Sequence, residues 1–314
     1  MSEAREAMGR LRAELNQVVR GQDSVVSGLV LCLLVRGHAY LEGVPGTAKT
    51  LLARTLAAAL GVDMARVQFT PDLMPGDITG SVIYDDRTGE FRLQQGPVFT
   101  NILLGDEINR TPPKTQAALL EAMAEHQVSV DGTTYRLGEP FLVIATANPI
   151  EFQGTYPLPE AQLDRFTMRL HTTLPPRGTE VDVVAAHLDG FDPNELDAVA
   201  RVMTPQDLAA AWAEISAVLV DPAIVGYCVD LAAATRSAAG VRLGASARGS
   251  INLAQVARAW AWLVGRDYVT PDDVKTMAVP VLAHRISLRP EAELDGLTAS
   301  EIVTGATRNV PVPR

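Results

Sequence analysis

Two cysteines in 314 residues, Cys32 and Cys228, are too few for a disulfide framework and too far apart for a zinc site. Each lies inside an apolar helical stretch and reads as a small core residue in a reducing compartment. Histidine is also scarce, with five residues and no metal-ligand spacing among them. Long hydrophobic runs are missing. The most apolar helix, Val25 to Val35, is interrupted by Ser27 and Gly28 and is too short to span a bilayer. The stretch from Met1 to Gln17 is charged and helical and has no apolar core of the kind a signal peptide carries, so a cytoplasmic protein is expected. Basic charge is in deficit: 27 Lys and Arg against 37 Asp and Glu give a net charge of −10, which argues against a broad nucleic-acid footprint.

The chain does have length for two domains and, at 47% hydrophobic residues, enough apolar material for sizeable cores. Residues 1–38 read as two helices broken near Gly21. Strands are expected at Ala39–Leu41, Arg66–Phe69, Asn101–Gly105, Phe141–Thr146 and Phe166–Leu170, alternating with helical runs. That rhythm implies an α/β fold with a parallel, doubly wound sheet over residues 1–174. Two segments interrupt it: a β-hairpin within 77–97, turning at Asp85–Gly89, and a second over 127–137, turning at Asp131-Gly132. A Pro/Gly linker at 175–178 leads to a small all-α domain over 178–314. Its helix starts are marked by Thr204-Pro205, Asp221-Pro222 and Thr270-Pro271. No strand pattern is visible there, and the stretch from about 290 to 314 reads as partly extended.

The chemistry concentrates in Gly43-Val44-Pro45-Gly46-Thr47-Ala48-Lys49-Thr50, set between the first strand and a helix that begins near Leu51. Backbone N–H groups of such a loop, with the helix N-terminus behind them, cradle phosphate oxygens. Lys49 is placed to reach the β- and γ-phosphates, and the Thr50 hydroxyl to hold Mg²⁺. The general pattern has Gly where this chain has Ala48, and a right-handed helical backbone at 48 would accommodate the methyl. Downstream, the apolar strand Asn101–Gly105 ends in Asp106-Glu107. Carboxylates at the C-terminal edge of a parallel sheet sit where such sheets bind ligands. Asp106 is placed to hold Mg²⁺ and Glu107 to orient and deprotonate a water.

With these motifs, and with Gln68-Phe69-Thr70-Pro71-Asp72-Leu73, Gly96-Pro97-Val98-Phe99, Asp106-Glu107-Ile108-Asn109-Arg110, Ala145–Pro149 and Pro157–Phe166, the chain resembles the MoxR family of AAA+ ATPases over its whole length. The resemblance implies ATP and Mg²⁺ as ligands and a P-loop NTPase domain followed by a helical lid. It makes Asn148 a sensor that positions the attacking water and Arg165 an arginine finger reaching into the neighbouring subunit, with Arg110 and Arg169 as rivals. It makes Arg248 the lid arginine that approaches the γ-phosphate of its own subunit, although Ala247 replaces the usual preceding proline. Gln22, with Val19 and Gly21, would line the adenine pocket, and residues Gly43 to Leu51 the phosphates. The hairpins become the helix-2 insert and the pre-sensor hairpin, facing a ring pore, with Tyr84 and Phe91 as the aromatics that would meet a protein client. A homo-hexamer, a von Willebrand A domain partner and chaperone-like remodelling are further implications. A DNA-acting motor and a metal-chelatase motor subunit are the alternatives; the acidic charge and the lack of any Lys/Arg-rich segment weigh against the first.

Overall fold

The structure is a computed structural model that describes residues 2–148, 156 and 158–313. Helix α1 (Glu3–Val18) starts at Ser2, whose hydroxyl accepts from the Arg5 amide, and buries Ala4, Ala7, Met8, Leu11 and Leu15 along one stripe. Helix α2 (Asp23–Leu34) is buried nearly all round, because it lies between α1, the sheet and the C-terminal helices. Cys32 on α2 and Cys228 are both buried and unpaired, and burial pushes each thiol up to about 12.

Strands β1 (Ala39–Gly43), β2 (Met64–Gln68), β5 (Ile102–Asp106), β8 (Leu142–Ala147) and β9 (Met168–Thr172) form one parallel sheet in the order β2-β5-β8-β1-β9. Each expected strand is present within a few residues of its sequence bounds. β5 and β8 are buried along their full length and divide their side chains by the pleat. Ile102, Leu104, Leu142 and Ile144 face the core built by α1, α2 and α3 (Lys49–Leu60), while Leu103, Val143 and Ala145 face α5 (Pro113–Glu125).

Helix α4 (Pro75–Thr79) feeds the first hairpin, β3 (Gly80–Asp85) with β4 (Glu90–Gln95). The second hairpin, β6 (Gln127–Val130) with β7 (Thr133–Arg136), turns through Asp131 at φ +48° and Gly132 at φ +77°, the two positive values a tight two-residue turn requires. A single helical turn, α6 (Glu160–Leu163), precedes β9.

The C-terminal part contains α7 (Arg177–Leu188), α8 (Pro205–Ala217), α9 (Pro222–Ser237), α10 (Ala247–Leu263), α11 (Pro271–Leu282), α12 (Pro290–Leu294) and α13 (Ala299–Asn309). Thr204, Asp221 and Thr270 are N-caps as their sequence signals indicate. Two expectations are corrected. A small antiparallel pair, β10 (Val241–Leu243) with β11 (Ser287–Leu288), interrupts the helices. The stretch after 290 is helical rather than extended, because Thr298 and Glu301 form a reciprocal capping box that starts α13. The apolar core of α8–α11 and α13 is continuous with that of α1–α3 and one face of the sheet. Among the described residues, no helix is long and apolar enough to cross a membrane.

Candidate functional site

The loop after β1 is held from both sides. A Cβ on Gly43 would lie 2.1 Å from Thr172 Oγ1 and 2.4 Å from the Thr172 carbonyl, so only glycine lets β1 run this close to β9. Thr47 locks the loop tip: its hydroxyl donates to the Val44 carbonyl at 3.0 Å and shares a 2.7 Å hydrogen bond with the Thr172 hydroxyl. Ala48 corrects the sequence expectation. It adopts φ +60°, ψ +25°, the left-handed region, and follows Gly46 at φ +80°. A loop that turns successive amides toward one concavity needs such residues, and the methyl at 48 costs roughly 1–2 kcal/mol that glycine would not.

Lys49, at the start of α3, folds back to donate to the Gly43 carbonyl. Burial pushes its pKa down, while Asp106, Glu107 and Glu42 pull it back up. A cation so placed gains from an anionic ligand that replaces its lost hydration. Val44, Pro45, Thr50 and Leu51 complete this wall of the cavity.

The opposite wall comes from β2, β5 and β8. Their register sets Gln68 beside Asp106 and Gly105 beside Ala145, so the strand ends converge. Asp106 is buried and accepts from Arg66 Nε at 2.7 Å and from the Thr146 hydroxyl at 3.1 Å. Glu107 turns left-handed at φ +57°. Its carboxylate accepts from Gln68 Nε2 at 2.8 Å and pairs with Arg110 Nε at 3.1 Å. The Glu107 amide donates to Thr146 Oγ1 at 3.0 Å. One hydroxyl therefore positions both acidic residues. Asn148, at the end of β8, is buried on the same cavity of 320 Å³.

A second, more apolar cavity of 360 Å³ shares Gly46, Thr47, Ala48 and Leu51 with the first. Val18, Val19 and Gln22 form one side of it and Val183, Ala186 and His187 of α7 another. The Gln22 amide donates to the Thr173 carbonyl at 2.6 Å. The pair of cavities has the shape and polarity of a site for a phosphorylated aromatic base.

Arg165 and Arg248 are not on this cavity. Arg165 donates to the Ala161 carbonyl at 2.9 Å, and its Nε has no partner among the described residues. Arg248 stands exposed in the first turn of α10, whose N-cap Ser246 donates to Asp164 at 3.0 Å and thereby adjoins Arg165. Arg248 therefore does not line the cavity of Lys49 and Asp106 in its own subunit as the resemblance implies; it starts the helix whose cap meets Asp164, next to Arg165 in the chain. Arg169 is paired with Glu42 and Arg110 with Glu107. Pro149 and Pro157 of the family motifs lie outside the described residues.

Arg66 and Thr172 carry no motif that marks them, and Thr146, although inside the Ala145–Pro149 motif, is not singled out by it. Their only sequence signal is a polar residue near the end of an otherwise apolar or extended stretch. Arg285 is a further unmarked residue. It is buried, pairs with Asp164 at 2.9 Å, and donates to the Phe166 carbonyl at 2.6 Å. Burial pushes its pKa down to about 10, against the pull of Asp164. This ties the segment bearing Arg165 to the lid.

Comparison with known proteins agrees with the geometry. Residues 38–168 match the model for the ATPase family associated with various cellular activities (AAA), and residues 233–306 that for the AAA lid domain. The chain is similar to the uncharacterized protein YeaC of Bacillus subtilis, 44% identical over 98% of this chain and 95% of that one. It is similar to the chaperone MoxR1 of Mycobacterium tuberculosis, 39% identical over 96% of this chain and 81% of the relative. The crystal structure of a putative ATPase from Cytophaga hutchinsonii superposes with a TM-score of 0.90 at 40% identity, covering 99% of this chain and 96% of that one.

Proposed function

The chain belongs to the MoxR family of AAA ATPases, and from that membership we propose that it is a Mg²⁺-dependent ATP hydrolase that works as a ring, of six subunits in the family's manner, to remodel partner proteins. The observation that carries the reading is the convergence of Lys49, Thr50, Asp106, Glu107 and Asn148 on one cavity that shares its loop with an apolar base pocket.

The reaction is ATP + H₂O to ADP and phosphate, with no covalent intermediate, so positioning and charge neutralisation carry it. The loop amides and Lys49 hold the phosphates. Glu107 accepts the proton of the attacking water, and Asn148 orients that water. Thr50 and Asp106 would hold Mg²⁺; a hydroxyl and a carboxylate suit a hard cation. Among the described residues no cluster of three or more His, Cys, Asp and Glu could hold a metal alone, which fits an ion completed by substrate phosphates. When bound, the ion neutralises phosphate charge. Arg66 pairs with Asp106, and Gln68 and Arg110 hold Glu107, so three side chains fix where the two carboxylates stand beside the phosphate loop.

Arg165 and Arg248 act on the site of the neighbouring subunit. That neither lines the phosphate cavity supports this, as do the internal ion pairs that occupy Arg169 and Arg110. Tyr84 and Phe91, exposed and in tilted ring contact with centroids 5.1 Å apart on the first hairpin, are the client-facing aromatics. A von Willebrand A domain partner and a cytoplasmic setting complete the proposal. The test is phosphate release with Mg²⁺ and ATP by wild type and Glu107→Gln. The variant retains nucleotide and loses turnover if Glu107 is the base; an unchanged rate refutes that role.

A further inference from the structure

The helix that closes the base pocket also presents an apolar face to solvent. Val181, Val184 and Leu188 of α7 lie at i, i+3 and i+7 and are 52%, 54% and 84% exposed. Leu174, just before the helix, is 68% exposed. α7 contributes no buried side chain to any core. Its inner side lines the base cavity through Val183, Ala186 and His187, and the Asp182 carbonyl accepts from Arg20 at 3.2 Å. Monomeric proteins rarely leave such a stripe uncovered.

A second apolar pair flanks the other half of the proposed shared site. Ile251 lies one helical turn beyond Arg248 on α10, and Leu243 ends β10 just before that helix; they are 57% and 49% exposed. Charge differs in sign between the two surfaces. The segment 177–197 exposes Glu180, Asp182, Asp189, Asp192, Glu195 and Asp197 against a single arginine, Arg177. The segment 231–250 has Arg236, Arg242 and Arg248 and no acidic residue of its own; Glu160 pairs with Arg242 and Asp164 accepts from Ser246, which leaves Arg236 and Arg248 as its net positive charge.

We propose that the outer face of α7 docks against the Leu243–Ile251 face of a second copy of this chain, the two apolar groups forming the centre and the opposite charges the rim. This rests on the reading of a shared ATP site, and it names the surfaces that bring the two halves together. The contact is heterologous: each copy offers one face of each kind, the kind of contact that a closed ring repeats at every subunit boundary. Because the inner side of α7 lines the base cavity, a bound nucleotide gives this weakly anchored helix its second set of contacts, and assembly is tighter with nucleotide than without.

The experiment is native mass spectrometry with sedimentation velocity, using Mg²⁺ and a non-hydrolysable ATP analogue. It compares wild type, Val184→Asp/Leu188→Asp, and Leu243→Asp/Ile251→Asp. Each double variant is expected to associate roughly a hundredfold more weakly than wild type while binding fluorescent ADP as the wild type does at concentrations where the wild type is not assembled. Mixed one to one, the two variants form a heterodimer, since one intact pair of faces remains, and no ring. Wild-type-like assembly by both variants overturns the docking faces and leaves the ring reading standing. A wild type that stays monomeric at every concentration overturns both. Folded, monomeric variants that give no heterodimer on mixing overturn the pairing of these two faces.

Discussion

Replacing Thr146 with valine removes one oxygen and almost nothing else. Valine has the same shape and favours strands, and β8 is buried along its whole length, so the fold should persist. The lost oxygen donates to Asp106 at 3.1 Å and accepts the Glu107 amide at 3.0 Å. A hydrogen bond to a charged group contributes about 1.5–3 kcal/mol. If that energy serves to hold the two carboxylates in their working geometry, turnover falls about 10- to 150-fold, at 1.36 kcal/mol per tenfold. Single-turnover phosphate release is the assay, with fluorescent ADP affinity as the control, since the phosphate loop is untouched. Thr146→Ser should recover most of the rate because it restores the hydroxyl. A Thr146→Val enzyme within twofold of wild type, at equal nucleotide affinity, would refute the idea that one hydroxyl organises both acids.

Asp164→Ala leaves the buried Arg285 guanidinium without its counter-charge and should destabilise the protein by about 3–5 kcal/mol, read by denaturant unfolding. His38 is buried, accepts from the Val143 amide and is pushed down to about 4 by burial, and His284 is likewise held well below its usual value. Each stays neutral in the folded state while the unfolded chain takes up a proton below about pH 6.5. Stability should therefore be full above that pH and fall by about 1.4 kcal/mol per pH unit for each histidine on acidification toward pH 4. Deleting residues 81–92 from the exposed first hairpin should leave nucleotide binding intact; loss of binding would make the hairpin a structural element instead.

The parts of the site legible in the sequence are those whose chemistry demands contiguous residues. A phosphate loop must be one short segment between a strand and a helix, and Asp106-Glu107 must end a buried strand, so both could be read directly. The hairpin at 127–137 was legible from Asp131-Gly132, and three lid helices from their Thr-Pro and Asp-Pro starts. Contacts made by strand order were not legible. Arg66, Gln68 and Thr146 meet the acidic pair only because β2 and β8 flank β5, which no local pattern states. The left-handed Ala48 escaped because alanine does not advertise that conformation, and α13 escaped although Thr298 and Glu301 carried its signal. The position of Arg248 depends on how the lid packs on α1 and α2, a property of the whole core.

The central claim is an ATP site divided between neighbouring subunits, and mixing two inactive variants tests it most directly. Glu107→Gln keeps its finger but lacks the base; Arg165→Ala keeps the base but lacks the finger. Each alone should release almost no phosphate. Mixed at a concentration where the wild type assembles, they should recover hydrolysis, because an intact Glu107 then faces an intact Arg165 across the contact. A co-assembled mixture that stays inactive, or an Arg165→Ala protein that hydrolyses ATP at the wild-type rate by itself, would contradict the divided site.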